Sequence, residues 1–242
     1  MKNACVIGSP IAHSLSPAIY SYLAFLSSKD QFLYSAVEVL DVRLASFLQE
    51  ARKSLVALNV TLPLKEKVIH YLEKKSDEVL ATGACNFIKN NDGRFEGYNT
   101  DVIGILESLR QNHFDAQKKT VLILGAGGAA RSAAFALAKA GASAIVIYSR
   151  RADGAQTIAD QIKKFFDVNI QALNKLGREK FSLIINATPL GMEGFESETD
   201  PKVYFSEVLA LSADENSFSF DLIYKPSDTE FLKISKARGL KT

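Results

Sequence analysis

The run Thr120-Val121-Leu122-Ile123-Leu124 breaks into Gly125-Ala126-Gly127-Gly128-Ala129-Ala130 and continues as an alanine-rich stretch to Ala140. A strand this apolar is buried on both faces, as in a parallel sheet. A glycine-rich turn that leaves such a strand and opens a helix is the fingerprint of a dinucleotide site. Gly125 permits the tight turn, Gly127 lets the backbone approach a pyrophosphate, and Ala130 keeps helix and strand close. Phosphates then sit at the helix N-terminus, where unpaired N–H groups and the helix dipole favour anions. Gly125, Ala126, Gly127, Gly128 and Ala129 are therefore candidate cofactor residues.

The rest of the chain reads as α/β. Short β-branched runs alternate with helical patterns, the signature of parallel-sheet units. Strands are expected at Val6–Gly8, Phe32–Val39, Ala57–Leu62, Ser143–Tyr148, Leu183–Ala187 and Phe218–Tyr224. Ser16-Pro17 reads as a helix N-cap followed by proline at the first helical position. Asn91-Asp92-Gly93 reads as the tight turn of a hairpin joining Phe87–Lys89 to Arg94–Gly97. A helix is expected from Asp101 to about Gln111, and the polar stretch 112–119 marks a nearby domain boundary.

Composition narrows the function classes. The 242 residues are 47% hydrophobic and 23% charged, enough to bury a core, and the net charge of +2 comes without a basic tract, which argues against nucleic acid. No apolar stretch has the length of a membrane span, and the N-terminal apolar run is too short for a signal peptide. Cys5 and Cys85 lie in apolar segments and read as reduced thiols of a cytoplasmic protein. Three scattered histidines give no metal-ligand spacing.

The second Rossmann strand selects the cofactor. Ser149-Arg150-Arg151 stands where an NAD site usually carries an acidic residue for the ribose diol. Two guanidiniums suit a 2′-phosphate, which points to NADP. Asp153, close by, keeps NAD as the alternative.

Three polar segments follow strand ends, where open α/β sheets bind ligands. They are Gly8–Pro17, containing Ser14-Leu15-Ser16-Pro17; Asn59-Val60-Thr61-Leu62-Pro63-Leu64-Lys65; and Gly97-Tyr98-Asn99-Thr100-Asp101. Their hydroxyls, amides, ammonium and carboxylate suit a polyhydroxylated carboxylic acid. Taken singly, each segment can also serve as caps and turns.

Together with Gly83-Ala84-Cys85-Asn86, Asn186-Ala187-Thr188-Pro189-Leu190-Gly191-Met192 and Asp221-Leu222-Ile223-Tyr224-Lys225-Pro226, these segments resemble the shikimate dehydrogenase family from Gly8 to about Gly239. The resemblance implies an N-terminal α/β substrate domain and a Rossmann NADP-binding domain with a cleft between them. It implies substrate-domain residues 1–101 with a C-terminal helix at about 226–242, and a Rossmann domain at 102–225. The implied reaction is NADPH-dependent reduction of 3-dehydroshikimate to shikimate, in aromatic amino acid (chorismate) biosynthesis, by a monomer or homodimer.

The resemblance also implies residue roles. Lys65 and Asp101 form the catalytic pair. Ser14 and Ser16 bind the substrate carboxylate. Thr61, Asn86 and Asn99 contact substrate hydroxyls or hold the site, and Tyr224 approaches the substrate. Thr188, Pro189 and Met192 border the nicotinamide, while Ser149, Arg150 and Arg151 face the adenosine end.

This chain departs from the family pattern at several points. Phe87 replaces a small polar residue after Asn86, and Gly154 stands where an arginine often follows the second strand. The sequence stops at Leu240-Lys241-Thr242, where family members continue into a helix whose glutamine touches the substrate. One substrate contact is accordingly expected to be unmade. Alternatives are an NAD-dependent quinate/shikimate dehydrogenase and a catalytically silent ligand-binding relative.

Overall fold

The computed structural model describes residues 2–12, 14–27, 32–150 and 152–242. The chain divides into two compact units, Met1–Thr100 and Asp101–Thr242.

The first unit is built on a mixed six-stranded sheet. Strands β1 (Lys2–Gly8), β2 (Phe32–Glu38), β3 (Ala57–Val60), β4 (Lys74–Lys75), β5 (Phe87–Asn91) and β6 (Arg94–Tyr98) lie in the order β2-β1-β3-β5-β6-β4. β1 pairs parallel with β2 and β3, whereas β5 runs antiparallel to β3 and β6. The β5–β6 hairpin closes as its sequence requires: Asp92 (φ 52°) and Gly93 (φ 84°) both occupy the left-handed region. Helices α1 (Ser16–Ser27), α2 (Leu44–Ser54) and α3 (Asp77–Thr82) complete the unit. α2 buries Leu44, Leu48 and Ala51, one helical stripe, against a core that includes Ile7, Leu58, Val60, Leu64 and Phe95.

Arg52, in the last turn of α2, anchors the hairpin. Its guanidinium lies 4.3 Å from the Phe95 ring centroid and donates to Glu73 Oε1 (2.9 Å) and to the Tyr71 and Gly93 carbonyls. Glu73 Oε2 accepts the Phe95 N–H at 2.7 Å.

The second unit opens with α4 (Asp101–Gln111) and carries a five-stranded parallel sheet. Its strands are β7 (Thr120–Leu124), β8 (Ala144–Tyr148), β9 (Asn169–Leu173), β10 (Leu183–Asn186) and β11 (Phe218–Asp221), in the order β11-β10-β7-β8-β9. Helices α5 (Gly128–Lys139), α6 (Ala152–Lys163), α7 (Pro201–Ser212) and α8 (Glu230–Ala237) belong to the same unit. The chain moves from β7 outward to β8 and β9, then returns to β10 on the other side of β7. The strand order therefore reverses between β7 and β10, the place where such sheets bind ligands.

The C-terminal segment departs from the sequence expectation. The resemblance places residues 226–242 with the substrate domain, but they belong to the second unit. Phe231 of α8 is fully buried in the core of that unit, its ring 5.1 Å from Phe205 of α7. Lys241 bridges in parallel to Phe218 at the start of β11. Burying a phenylalanine this completely contributes about 1.5–3 kcal/mol, which fixes α8 to its own unit.

Candidate active site

In the first unit, the polar segments meet at the C-terminal ends of β1 and β3. Gly8 ends β1 because nothing larger fits: a Cβ there would lie 2.5 Å from Thr61 Cγ2 and 2.8 Å from the Leu62 carbonyl oxygen. The two segments are then joined by backbone hydrogen bonds, Thr61 N–H to Ile7 O (2.9 Å) and Ser9 N–H to Leu62 O (3.0 Å). The third polar segment joins through Asn86. Val60 N–H donates to the Asn86 carbonyl and Cys85 N–H to the Lys65 carbonyl, both at 2.8 Å. Thr61, Lys65 and Asn86 are all half-buried, held on one backbone framework.

The Asn86 side chain ties this framework to the end of β6. Its Oδ1 accepts the Thr100 N–H at 2.8 Å, and its Nδ2 donates to Thr100 Oγ1 at 3.0 Å. Asn99 is buried and its amide donates inward, to Thr82 Oγ1 and to the Ala84 carbonyl, both at 3.1 Å. These bonds tie Asn99 to the segment that carries Asn86.

The start of α1 differs from the expected cap. Ser16 is the first residue of the helix, and Ser14 Oγ accepts its N–H at 3.3 Å. Ser14 therefore serves the helix start. Tyr34 OH donates to Asn59 Oδ1 at 2.7 Å, and its ring stacks on Tyr20 with centroids 4.2 Å apart. Tyr34 is not among the residues the sequence singles out. Its only sequence signal is a tyrosine at a strand position whose hydroxyl needs a partner when buried.

In the second unit, the glycine turn sits at the strand-order reversal. Gly125 has φ 105°, and a Cβ there would lie 3.0 Å from the Ala187 carbonyl oxygen and 3.1 Å from Thr188 Cγ2. This close approach brings the turn against the 186–192 segment. Gly127 is exposed, and a Cβ there would meet nothing within 4 Å. It caps α5 with no side-chain hydrogen bond, so the first helical N–H groups receive no side-chain acceptor from their cap. A glycine-lined opening onto such a helix start fits a dinucleotide pyrophosphate.

The 186–192 segment is shaped by Asn186. This buried side chain accepts from Thr188 N–H (3.1 Å) and Thr188 Oγ1 (2.7 Å) and donates to Asp221 Oδ1 (3.0 Å). Met192 N–H closes the turn onto the Pro189 carbonyl at 3.0 Å. Asp221 also accepts from Thr229 Oγ1 (2.6 Å) and Ile223 N–H (2.9 Å). Burial raises its carboxyl pKa, and these donors offset only part of that effect. Lys225 carries the adjoining chain back to the segment: its carbonyl accepts Glu193 N–H and its ammonium pairs with Glu193 Oε1, both at 3.0 Å. Tyr224, beside it, is exposed.

At the end of β8, Ser149 is half-buried and Arg150 exposed. Arg150 Nη1 donates to Thr199 Oγ1 at 3.2 Å, a partner on the β10–α7 loop that the sequence does not reveal. Arg151 lies outside the described residues. Gly154 has a steric reason: a Cβ there would lie 3.3 Å from Ala126 Cβ, within the glycine turn. Among the described residues, no helix is long and apolar enough to cross a membrane.

The reversing parallel sheet of the second unit, with its open glycine turn, and the serines, threonine, asparagine and lysine of the first unit together define a dinucleotide-dependent enzyme of the Rossmann class. Residues 6–88 match the family described as the shikimate dehydrogenase substrate binding domain, and residues 108–190 match shikimate / quinate 5-dehydrogenase. The NADP(+) shikimate dehydrogenase of Carboxydothermus hydrogenoformans is 38% identical, the match covering 100% of this chain and 85% of the relative. The shikimate 5-dehydrogenase of Thermus thermophilus, solved with NADP(H) and shikimate, has a TM-score of 0.83 at 33% identity, covering 100% of this chain and 86% of that one. The ligand-free 5-ketofructose reductase of a Gluconobacter species gives 0.81 at 30% identity, with the same coverage of 100% and 86%. The chain belongs to the shikimate dehydrogenase family.

Proposed function

We propose that this chain is an NADP-dependent shikimate dehydrogenase that reduces the ketone of 3-dehydroshikimate to shikimate. The observation that carries the reading is the backbone framework joining Thr61, Lys65 and Asn86 through Val60, Cys85 and Gly8. It presents a cation and hydrogen-bonding side chains on one support, as a polyhydroxylated ketone requires.

NADPH, when bound, supplies the hydride. The residues that would hold it are Gly125, Ala126, Gly127, Gly128 and Ala129 at the pyrophosphate, Ser149, Arg150 and Arg151 at the 2′-phosphate, and Thr188, Pro189 and Met192 at the nicotinamide. Lys65, as an ammonium, stabilises the negative charge developing on the substrate oxygen and gives that oxygen its proton. The family resemblance assigns Asp101 as the carboxylate that supports the lysine's charge. Ser14 and Ser16 take the substrate carboxylate, Thr61 and Asn86 take ring hydroxyls, Asn99 supports Asn86's segment, and the same resemblance assigns Tyr224 to the substrate. Cys5 and Cys85 are buried and in no disulfide, Cys85 Sγ donates to the Phe87 carbonyl, and burial pushes the Cys5 pKa up to about 12. Unreactive thiols of this kind fit the reducing cytoplasm.

NAD use is the second reading, favoured by Asp153 in the first turn of α6 and by the glycine packed on Ala126 at position 154. The test is a substrate panel. The chain should oxidise shikimate with NADP⁺ far faster than quinate, and should not reduce 5-ketofructose with NADPH. Preference for quinate with NAD⁺, or for 5-ketofructose, would overturn the assignment.

A further inference from the structure

We propose that Asp221 is a positioning residue for the nicotinamide, acting through Asn186 and Thr188. The inference rests on the assignment of the 186–192 segment to that ring.

Asp221 and Asn186 end the neighbouring strands β11 and β10, in register with one another. The proposed reaction makes no use of the Asp221 carboxyl, yet donors converge on it. Oδ1 accepts from Asn186 Nδ2 (3.0 Å) and Ile223 N–H (2.9 Å), and Oδ2 accepts from Thr229 Oγ1 (2.6 Å). Thr229 in turn caps α8, so the carboxylate is held from both sides. An ionised carboxylate only accepts, whereas the two ends of an asparagine amide share a shape and differ in hydrogen-bonding character. Asp221 therefore decides which way the fully buried Asn186 amide faces. The NH2 end meets the carboxylate, and Oδ1 is left for the chain beyond β10.

That oxygen accepts both Thr188 N–H (3.1 Å) and Thr188 Oγ1 (2.7 Å). With its proton given to Asn186, the Thr188 oxygen accepts Leu190 N–H at 3.2 Å. The threonine rotamer is thereby fixed, with Cγ2 3.1 Å from the Cβ position of Gly125 in the glycine turn. A reversed Asn186 amide would set NH2 against the Thr188 N–H, two donors facing each other, and the turn would lose the bonds that shape it. The pyrophosphate and 2′-phosphate residues lie outside this chain of bonds, so the effect belongs in hydride transfer rather than in cofactor affinity.

Asp221→Ala frees the Asn186 amide to turn. In steady-state shikimate oxidation with NADP⁺, kcat should fall about 10- to 100-fold, the scale on which a reacting ring misplaced by up to about 1 Å loses rate. KM for NADP⁺ should stay within about threefold of wild type. Asp221→Asn still has an oxygen to offer Asn186 and Ile223, and should recover kcat to within about threefold of wild type. In a Thr188→Val background, Asp221→Ala should lower kcat by less than about a further twofold, because the residues act as one unit. Should Asp221→Ala not fold, Thr188→Val alone reads the far end of the same chain and should lower kcat by about tenfold.

A kcat within about twofold of wild type in Asp221→Ala, or in Thr188→Val where that variant stands in for it, would overturn the inference. So would equal losses in Asp221→Ala and Asp221→Asn, a loss confined to KM for NADP⁺, or a full additional loss in the Thr188→Val background. Wild-type protein that oxidises no shikimate would instead refute the underlying assignment, and the inference with it. Wild-type activity with an indifferent Asp221→Ala refutes the inference alone.

Discussion

Gly125→Ala tests the cofactor turn at its tightest point. Alanine at φ 105° is strained by about 1–3 kcal/mol, since L side chains rarely adopt that backbone. The added methyl also meets the Ala187 carbonyl oxygen at 3.0 Å, where backbone must give way, and Thr188 Cγ2 at 3.1 Å. Such overpacking adds about 1 kcal/mol or more. The total, about 2–4 kcal/mol, has two outlets. If the turn holds its shape, the cost appears as lost stability in urea denaturation. If the turn relaxes, the N–H groups at the start of α5 move and NADP⁺ binding weakens, by about 30-fold for 2 kcal/mol. Both are to be measured on the same preparation, with cofactor-free shikimate binding as a control for the first unit. Stability within about 0.5 kcal/mol and NADP⁺ affinity within about threefold of wild type, together, would refute the steric reasoning.

Arg150→Ala should raise KM for NADP⁺ roughly 10- to 100-fold, the worth of a charge-assisted hydrogen bond, and leave KM for NAD⁺ nearly unchanged; equal effects on both cofactors would remove Arg150 from the 2′-phosphate. Glu73 governs an acid-stability effect. The hydrogen bond from Arg52, followed by that from Phe95 N–H, holds its carboxyl below the ordinary carboxylate range despite some desolvation. A depressed folded-state pKa contributes stability above the unfolded value and loses it as pH falls through the folded one. The melting temperature of wild type should therefore fall more steeply between about pH 5 and pH 3 than that of Glu73→Gln; parallel curves would contradict the role of the pair.

The second unit is the more legible in sequence because its determinants are local. Thr120–Leu124 is apolar throughout and Gly125–Ala130 has one structural use, so strand, turn and helix announce themselves. The hairpin is legible for the same reason, since Asp92-Gly93 admits one kind of turn. β9 escapes a reading by pattern: Asn169-Ile170-Gln171-Ala172-Leu173 is an edge strand buried on one side, and its alternation is short. β4 is two exposed lysines paired to β6, with no pattern to read. The C-terminal helix falls in a different unit from the one expected because an amphipathic stripe shows that a helix is buried but not against what. In the candidate site, Lys65, Asn86 and Thr61 are visible through their motifs. Tyr34 and Thr199 are not, because each reaches its partner across a long stretch of chain.

The most direct test is reduced-nicotinamide absorbance with shikimate and either NADP⁺ or NAD⁺, run in parallel on wild type and Lys65→Ala. Shikimate-dependent signal that strongly favours NADP⁺, and a loss of most turnover in Lys65→Ala with shikimate binding retained, is the expected result. No shikimate-dependent signal with either cofactor, or near-normal turnover in Lys65→Ala, would contradict it.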